Sequence, residues 1–169
     1  MTRAYIGLGS NLAHATDSSI TILQQAVRDL AALASSPVRV SGLYTSKPMG
    51  PQDQPDYFNA VAALDTDLTA LQLLHALQQL EQQAGRVRLR HWGERTLDLD
   101  ILLFDEQRIA TPELSVPQPG ILQRNFVVIP LLELEPQLII DGNLLKNQPA
   151  AQQHDGLIKL NDASWAALH

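Results

Sequence analysis

Two segments with helical periodicity separate four segments with strand patterns, and this alternation constrains the fold more than any other feature of the chain. Apolar residues recur every three or four positions over residues 17–33 and 69–85, which predicts two helices. The strand-like segments are residues 3–9, 38–44, 57–64 and 96–104. The resulting order, β-α-β-β-α-β, predicts an α+β fold with a ferredoxin-like core and C-terminal additions.

Local signals refine the second helix and the end of the chain. Thr69 and Gln72 form a candidate capping box at the helix start, and Gly85 is a natural stop. After the fourth strand we expect a short strand near residues 108–109, a helix over residues 126–134 and a polar tail. The apolar stripe of the second helix is assigned to Leu71, Leu74 and Leu77.

Length and composition exclude several classes of protein. A chain of 169 residues is the length of one domain, so residues 1–169 are expected to form a single unit. There is no cysteine, which excludes disulfides and thiolate metal sites. No apolar run is long enough for a signal peptide or a membrane span, so we expect a cytoplasmic protein with no membrane partner. No motif marks a partner surface, and a monomer is the expectation.

Positive charge is concentrated in one short segment of an acidic chain. The formal net charge of −6 argues against a nucleic-acid partner. Yet four of the 12 Lys and Arg residues fall within residues 86–95. This placement indicates a local anionic partner such as a small phosphorylated molecule.

Asp98 and Asp100 alternate with apolar residues along the fourth predicted strand. Side chains on a strand alternate, so the two carboxylates should share one face, with Cα atoms roughly 6.6 Å apart. At an effective dielectric constant near 20, two such charges about 6 Å apart repel by roughly 2–3 kcal/mol. A Mg²⁺ ion between them would relieve this repulsion. The alternative is a solvent-facing strand that carries two incidental aspartates.

The arginine-rich segment leads directly into this acidic strand. Arginine offers planar, paired donors to phosphate oxygens, and Trp92 offers a face for a flat ring. Taken alone, the segment is better interpreted as a solvated loop whose cations offset the nearby aspartates. Cations and paired carboxylates together are what a triphosphate with Mg²⁺ requires, which favours phosphate chemistry.

Tyr57 and Asn59 project from one face at the start of the third predicted strand. An amide donates and accepts at once, so Asn59 can read the edge of a heterocycle while an aromatic ring stacks on its plane. The alternative is a core tyrosine beside a polar strand-edge residue. The segment Gly7-Leu8-Gly9 lacks the third glycine of a dinucleotide fingerprint, and the histidines show no metal-ligand spacing.

Taken together, these segments resemble the 6-hydroxymethyl-7,8-dihydropterin pyrophosphokinase family of folate biosynthesis. The likeness extends in colinear order over about residues 2–140. The motifs that carry it are Gly9-Ser10-Asn11, Ser46-Lys47-Pro48-Met49-Gly50, Gln54-Pro55-Asp56-Tyr57-Phe58-Asn59, Glu81 through Arg88, Trp92-Gly93, Arg95-Thr96-Leu97-Asp98-Leu99-Asp100-Ile101, Val116-Pro117, Arg124-Asn125-Phe126 and Pro130-Leu131-Leu132.

The resemblance implies a reaction and a set of site residues. The β,γ-pyrophosphate of ATP, the co-substrate, would pass to the hydroxymethyl oxygen of the dihydropterin, and AMP would leave. Two Mg²⁺ ions would be held by Asp98 and Asp100, with Arg86 and Arg95 on the phosphates. The nucleotide side would include Arg88, Trp92, Gln118 and Arg124, with Leu74, Ile101 and Ser115 near the base or ribose. The pterin would lie between Tyr57 and Phe126, beside Trp92, with its edge read by Asn59 and by groups of Ser46, Lys47, Pro48 and Met49. Segments 46–56 and 86–95 would close as lids.

The chain departs from the family pattern at several positions. Gln118 stands where histidine is usual between two prolines, and it cannot become cationic. Gly120 replaces a frequent arginine. The metal, arginine and pterin positions are kept, so we expect an active enzyme, and the departures on the nucleotide side predict an altered affinity for ATP. Further departures are His91 for Arg, Glu94 for Pro and Ser46 for Thr.

Two rival functions are compatible with parts of this pattern. A non-catalytic ligand-binding module has no need for the aspartate pair and the arginines at once. An ATP-dependent enzyme acting on another heterocycle has no need for the combination of Tyr57, Asn59 and Phe126.

Overall fold

In the computed structural model, which describes residues 1–11, 16–46, 57–85 and 95–166, a six-stranded antiparallel sheet forms the centre of the molecule. Its strands are β1 (Thr2–Asn11), β2 (Arg39–Val40), β3 (Leu43–Ser46), β4 (Tyr57–Thr66), β5 (Arg95–Phe104) and β10 (Leu157–Asn161). The strand order is β10-β3-β4-β1-β5, and β2 pairs with β4 beside β3. Two short hairpins lie outside this sheet, formed by β6 (Ile109–Ala110) with β7 (Ser115–Val116) and by β8 (Ile139–Ile140) with β9 (Asn143–Leu144).

Within the described residues, three α-helices cover the two faces of the sheet and divide the core in two. Helices α1 (Thr16–Leu33) and α2 (Ala70–Gly85) pack on one face, and α3 (Asn125–Leu134) packs on the other. Alternation along β1 separates the two cores, since Ile6 faces α1 and α2 while Tyr5 faces α3. None of the helices in the described ranges combines the length and apolarity needed to cross a bilayer.

The start of α2 confirms the predicted capping box. Thr69 N–H donates to Gln72 Oε1 at 2.9 Å, and Gln72 N–H donates to Thr69 Oγ1 at 3.1 Å. The predicted stripe was wrong at Leu71, which is 43% exposed, because Leu73 is buried in its place. Leu73 and Leu77 lie four residues apart on one side of the helix, whereas Leu71 is rotated by about half a turn from Leu73.

The predicted strand over residues 38–44 is interrupted at Ser41 and Gly42. Val61 N–H donates to the Ser41 hydroxyl oxygen at 2.9 Å, where a regular strand would offer a backbone carbonyl oxygen. In return, Ser41 N–H donates to the Val61 carbonyl oxygen at 2.8 Å. Gly42 lies against the last strand so closely that an added Cβ would come within 2.6 Å of the Asn161 carbonyl oxygen. This close approach of two main chains lies at the break between β2 and β3.

The C-terminal segment is not the polar tail that the sequence predicted. β10 pairs with β3, and Leu157 lies opposite Ser46. Beyond β10, Trp165 is only 5% exposed, packs into the core beneath α1 and donates from Nε1 to the Ser41 carbonyl oxygen at 2.9 Å. One buried aromatic side chain therefore fixes the end of the described chain to the core.

A polar cluster connects β3, α3 and β10. The Tyr44 hydroxyl donates to Glu133 Oε1 at 2.5 Å, and Lys159 Nζ donates to Glu133 Oε2 at 3.0 Å. Burial, followed by the hydrogen bond to Glu133, raises the pKa of Tyr44 above its ordinary value. The tyrosine therefore stays a neutral donor to the carboxylate, and the cluster ties α3 to the edge of the sheet.

Candidate active site

Two glycines in the central strand form the floor of a cavity between the sheet and α3. Gly9 pairs with Asn59 of β4 on one side and with Asp98 of β5 on the other. Gly7 similarly pairs with Val61 and with Asp100. Because glycine has no side chain, the neighbouring strands supply all the functional groups above this part of β1. An added Cβ at Gly9 would be in ordinary van der Waals contact with its neighbours, the nearest of which is Asn59 Oδ1 at 3.6 Å.

The cavity has a volume of about 200 Å³ and brings together side chains from five parts of the chain. β4 supplies one wall, β5 a second and α3 a third, and the end of β3 and the turn before α3 complete the lining. The side chains that line it are those of Ser46, Tyr57, Asn59, Val61, Asp98, Asp100, Leu102, Gln118, Arg124, Phe126 and Val127.

The two aspartates of β5 share the cavity face of the strand, as alternation predicts. Leu99 and Ile101 point the other way into the core beneath α1 and α2. Asp98 is half-buried and Asp100 is exposed, so the pair borders the cavity at its solvent side. Within the described ranges, no group of three or more acidic or histidine side chains is placed to hold a metal ion. This face of β5 therefore presents a set of two carboxylates.

Asn59 is oriented by a neighbour on β3. Its side chain is buried, and Nδ2 donates to Ser46 Oγ at 2.7 Å. The carbonyl oxygen Oδ1 is turned toward the floor, 3.6 Å from where a Cβ on Gly9 would lie. Nδ2 also donates to the Tyr57 carbonyl oxygen at 3.5 Å, so both amide N–H groups are directed at protein acceptors and Oδ1 is the acceptor presented to the cavity. A ligand that pairs with Asn59 in this orientation must bring an N–H or O–H donor.

Glu81 of α2 holds the outer edge of β5 between the two aspartates. Its Oε2 accepts a hydrogen bond from Leu99 N–H at 2.9 Å. β5 is the last strand of the sheet, so this carboxylate takes the place of a further strand at that position. Sequence reasoning gave Glu81 no role of its own, because a glutamate on an amphipathic helix carries no signal of a tertiary hydrogen bond.

Gln118 lies between the cavity and a second one of about 380 Å³. Its N–H donates to the Leu102 carbonyl oxygen at 3.0 Å, which fixes this loop to β5. Its side-chain Oε1 is buried and has no hydrogen-bond partner among the described residues. Ser115 lines the second cavity, whereas Arg124 lines the first.

The remaining predicted site residues are distributed as follows. Ile101 is buried and Leu74 partly buried in the core beneath α1 and α2, away from the lining of the first cavity. Their contact with a nucleotide stays a prediction. Arg95 begins β5 opposite Asn11, and the role predicted for its side chain falls outside what the structure describes. Predictions that also fall outside the described residues are those on Lys47, Pro48, Met49, Arg86, Arg88 and Trp92, and those on the two lids apart from their end residues Ser46 and Arg95.

Comparison with known proteins identifies relatives along nearly the whole chain. The family model for 7,8-dihydro-6-hydroxymethylpterin-pyrophosphokinase (HPPK) matches residues 5–136. A 2-amino-4-hydroxy-6-hydroxymethyldihydropteridine pyrophosphokinase of Haemophilus influenzae is 44% identical over 163 residues, which are 95% of this chain and 99% of the relative. The enzyme of the same name from Pseudomonas aeruginosa is 47% identical over 163 residues, with 95% and 98% covered.

Solved structures share the fold. A chain described as HPPK-DHPS in complex with substrates superposes with a TM-score of 0.68 at 12% identity, over 86% of this chain and 44% of that one. Plasmodium falciparum HPPK-DHPS with pteroate gives a TM-score of 0.66 at 13% identity, over 94% and 46%. This chain thus spans under half the length of these two structures, and at such low identity the likeness concerns the fold alone. On the family match and the close relatives, the chain is an enzyme of the 7,8-dihydro-6-hydroxymethylpterin-pyrophosphokinase family.

Proposed function

We propose that the chain transfers the β,γ-pyrophosphate of ATP to the hydroxymethyl oxygen of 6-hydroxymethyl-7,8-dihydropterin in a Mg²⁺-dependent step of folate biosynthesis. A bond forms between that oxygen and the β-phosphorus, the bond from the β-phosphorus to the α,β-bridging oxygen breaks, the hydroxyl proton is lost and AMP leaves. The observation that supports this reaction is a single cavity bordered by Asp98 and Asp100 on one side and by Asn59 on the other.

The donor set of β5 fits the metal that the reaction requires. Mg²⁺ takes one or two carboxylates and completes its octahedron with water and phosphate oxygens. Asp98 and Asp100 supply such a pair of hard oxygen ligands on one strand face. When bound there, Mg²⁺ would neutralise charge on the polyphosphate, and two ions are our expectation. The protein side chains hold position, since pyrophosphoryl transfer of this kind depends on alignment and charge and needs no covalent residue.

The opposite half of the cavity suits a flat heterocycle with polar edges. Tyr57 at the start of β4 and Phe126 of α3 both line the space, which supports binding of the pterin ring between them. The Oδ1 acceptor of Asn59 matches the N–H donors on the pterin edge. A ligand-binding module without chemistry would have no use for the two aspartates at the other end of the same cavity.

The sheet order supports a finer proposal about the fold. The sheet order β3-β4-β1-β5, with α1 and α2 on one face, supports a ferredoxin-like core. We further propose a single domain over residues 1–169 that acts in the cytoplasm as a monomer.

Identifying the nucleotide product tests the reaction. The protein is incubated with ATP, Mg²⁺ and 6-hydroxymethyl-7,8-dihydropterin, and the nucleotides are separated by chromatography. We expect AMP in equal amount to the pyrophosphorylated pterin, and none when the pterin or Mg²⁺ is omitted. ADP as the product would contradict pyrophosphoryl transfer. Turnover with another heterocycle but not with this pterin would favour the rival enzyme class.

Replacing Asn59 by alanine is expected to weaken pterin binding about tenfold while leaving ATP binding nearly unchanged. The change removes a hydrogen bond to the ligand and leaves the Ser46 hydroxyl without its donor. Calorimetric titration with the pterin, and separately with a non-hydrolysable ATP analogue, gives both affinities. Asn143→Ala, in the β8–β9 hairpin, is the control. An equal loss of affinity for both ligands would rule out a role for Asn59 in reading the pterin.

A further inference from the structure

We propose that Asn125 is a positioning residue that sets the distance between the two walls of the pterin cavity. It has no direct role in the chemistry and acts through the chain segment that it holds. This inference takes the identity of the ligand, the dihydropterin, from the proposed function.

Asn125 ties the first turn of α3 to the segment that precedes β10. It is the first residue of α3, and its half-buried side chain donates from Nδ2 to the carbonyl oxygens of Gln153 at 2.9 Å and Asp155 at 3.2 Å. Both N–H groups of the amide are used in these two bonds. The next residue, Phe126, lines the cavity. The helix wall is therefore anchored one residue away from the side chain that faces the ligand.

The anchored segment leads directly to the opposite wall. After Asp155, Gly156 has a φ of +73°, and Leu157 then begins β10 opposite Ser46 of β3. Ser46 in turn accepts the hydrogen bond that orients Asn59. A continuous series of contacts thus runs from the helix that carries Phe126, through Asn125 and β10, to the amide that faces the ligand. Displacing α3 at this end would change the gap between Phe126 and Asn59.

A second tie between α3 and β10 lies at the other end of the helix. There Glu133 accepts from Lys159 at 3.0 Å and from Tyr44 at 2.5 Å. Glu133 does not line the cavity, whereas Phe126 and Val127 at the first end do. Loss of the Asn125 tie is therefore expected to loosen the end of the helix that lines the cavity, whereas the far end keeps its tie through Glu133.

Asn125→Asp is the sharpest test, because aspartate has nearly the same shape but cannot donate when ionised and places a negative charge against two carbonyl oxygens. We expect Kd and KM for the pterin to rise about tenfold, which corresponds to the loss of roughly two hydrogen bonds. Kd for a non-hydrolysable ATP analogue should stay within about twofold, and kcat at saturating pterin should be retained. In the absence of ligand, amide hydrogen exchange in residues 153–161 should become faster.

Asn143→Asp is the matched control, because Asn143 also donates from Nδ2 to a backbone carbonyl, that of Asp141 at 3.3 Å, but in the hairpin of β8 and β9. It should change none of these readouts. Asn125→Ala serves as the second variant should the aspartate variant fold poorly. A wild-type pterin affinity in both folded variants, or a parallel loss of pterin and ATP affinity, would overturn the positioning role. Failure of the wild-type protein to bind the pterin would contradict the proposed function and the ligand named here. Amide exchange in residues 153–161 that is the same in the Asn125 variants as in the wild type would show that Asn125 does not hold this segment.

Discussion

Replacing Asp98 or Asp100 by alanine is expected to reduce turnover by at least about a thousandfold and leave the fold intact. Each change removes one of the two carboxylates that border the cavity on β5. Charge stabilisation by a metal ion contributes several kcal/mol to a transition state, and each factor of ten in rate corresponds to about 1.4 kcal/mol. The fold should survive because both side chains lie outside the two apolar clusters.

Turnover of each variant is measured by AMP formation at saturating ATP and pterin over a series of Mg²⁺ concentrations, and folding is followed by circular dichroism. Asp67→Asn removes a carboxylate that is exposed and distant from the cavity lining, so it controls for the loss of one negative charge. Normal turnover in either alanine variant would remove the metal assignment. Loss of activity together with loss of the folded signal would indicate a structural role instead.

Trp165→Ala is expected to lower the free energy of unfolding by about 3–5 kcal/mol, the range for truncating a buried tryptophan. The ring packs in the core beneath α1, and its indole N–H donates a hydrogen bond to the buried Ser41 carbonyl oxygen. The alanine variant loses both the packing and this hydrogen bond. The main chain of Trp165 also accepts from Gln24 of α1 at 2.8 Å. For a chain of this size the destabilisation corresponds to a fall in Tm of roughly 10 °C.

Urea unfolding followed by circular dichroism measures this effect. Trp165→Phe keeps most of the apolar volume but not the N–H donor, so it should give an intermediate loss and separate packing from hydrogen bonding. Leu71→Ala, at an exposed apolar position, is the control for a truncation that creates no cavity. A free energy of unfolding within about 1 kcal/mol of wild type for the alanine variant would contradict the packing role.

Regular patterns in the sequence predicted the centre of the fold well. Alternation on β4 and β5 and the capping box of α2 follow from local rules, and the structure has the faces and hydrogen bonds that those rules require. The predictions were wrong where distant parts of the chain decide the outcome. Leu71, Leu73 and Leu74 all lie on one turn of α2, so periodicity alone could not select the buried one. Gly42 lies against Asn161, and Trp165 donates to the carbonyl oxygen of Ser41. Each of these contacts joins residues that are more than a hundred positions apart in the sequence.

The placement of several residues around the cavity was predictable where residue type carries the chemistry. Acidic pairs on one strand face, and a tyrosine and an asparagine on another, are visible in the sequence, and the structure places them around one cavity. The role of Gly7 and Gly9 was missed because these glycines were considered only as part of a dinucleotide-binding pattern. Their spacing of two on a strand was the available signal. The ties made by Glu81 and Asn125 carried no such signal, because their partners are main-chain groups of remote segments.

The bare stretch of β1 beneath the cavity has a consequence for inhibition. A molecule that rests on the peptide planes of β1 cannot be displaced by a change of side-chain rotamer in that strand. The strand can alter this surface only by adding atoms at Gly9 or at Gly7, where an added Cβ would also meet the Leu102 side chain at 3.4 Å. Any such addition makes the space shallower for the natural ligand as well as for the drug. Resistance arising at these two positions would therefore come at the expense of the enzyme's own substrate.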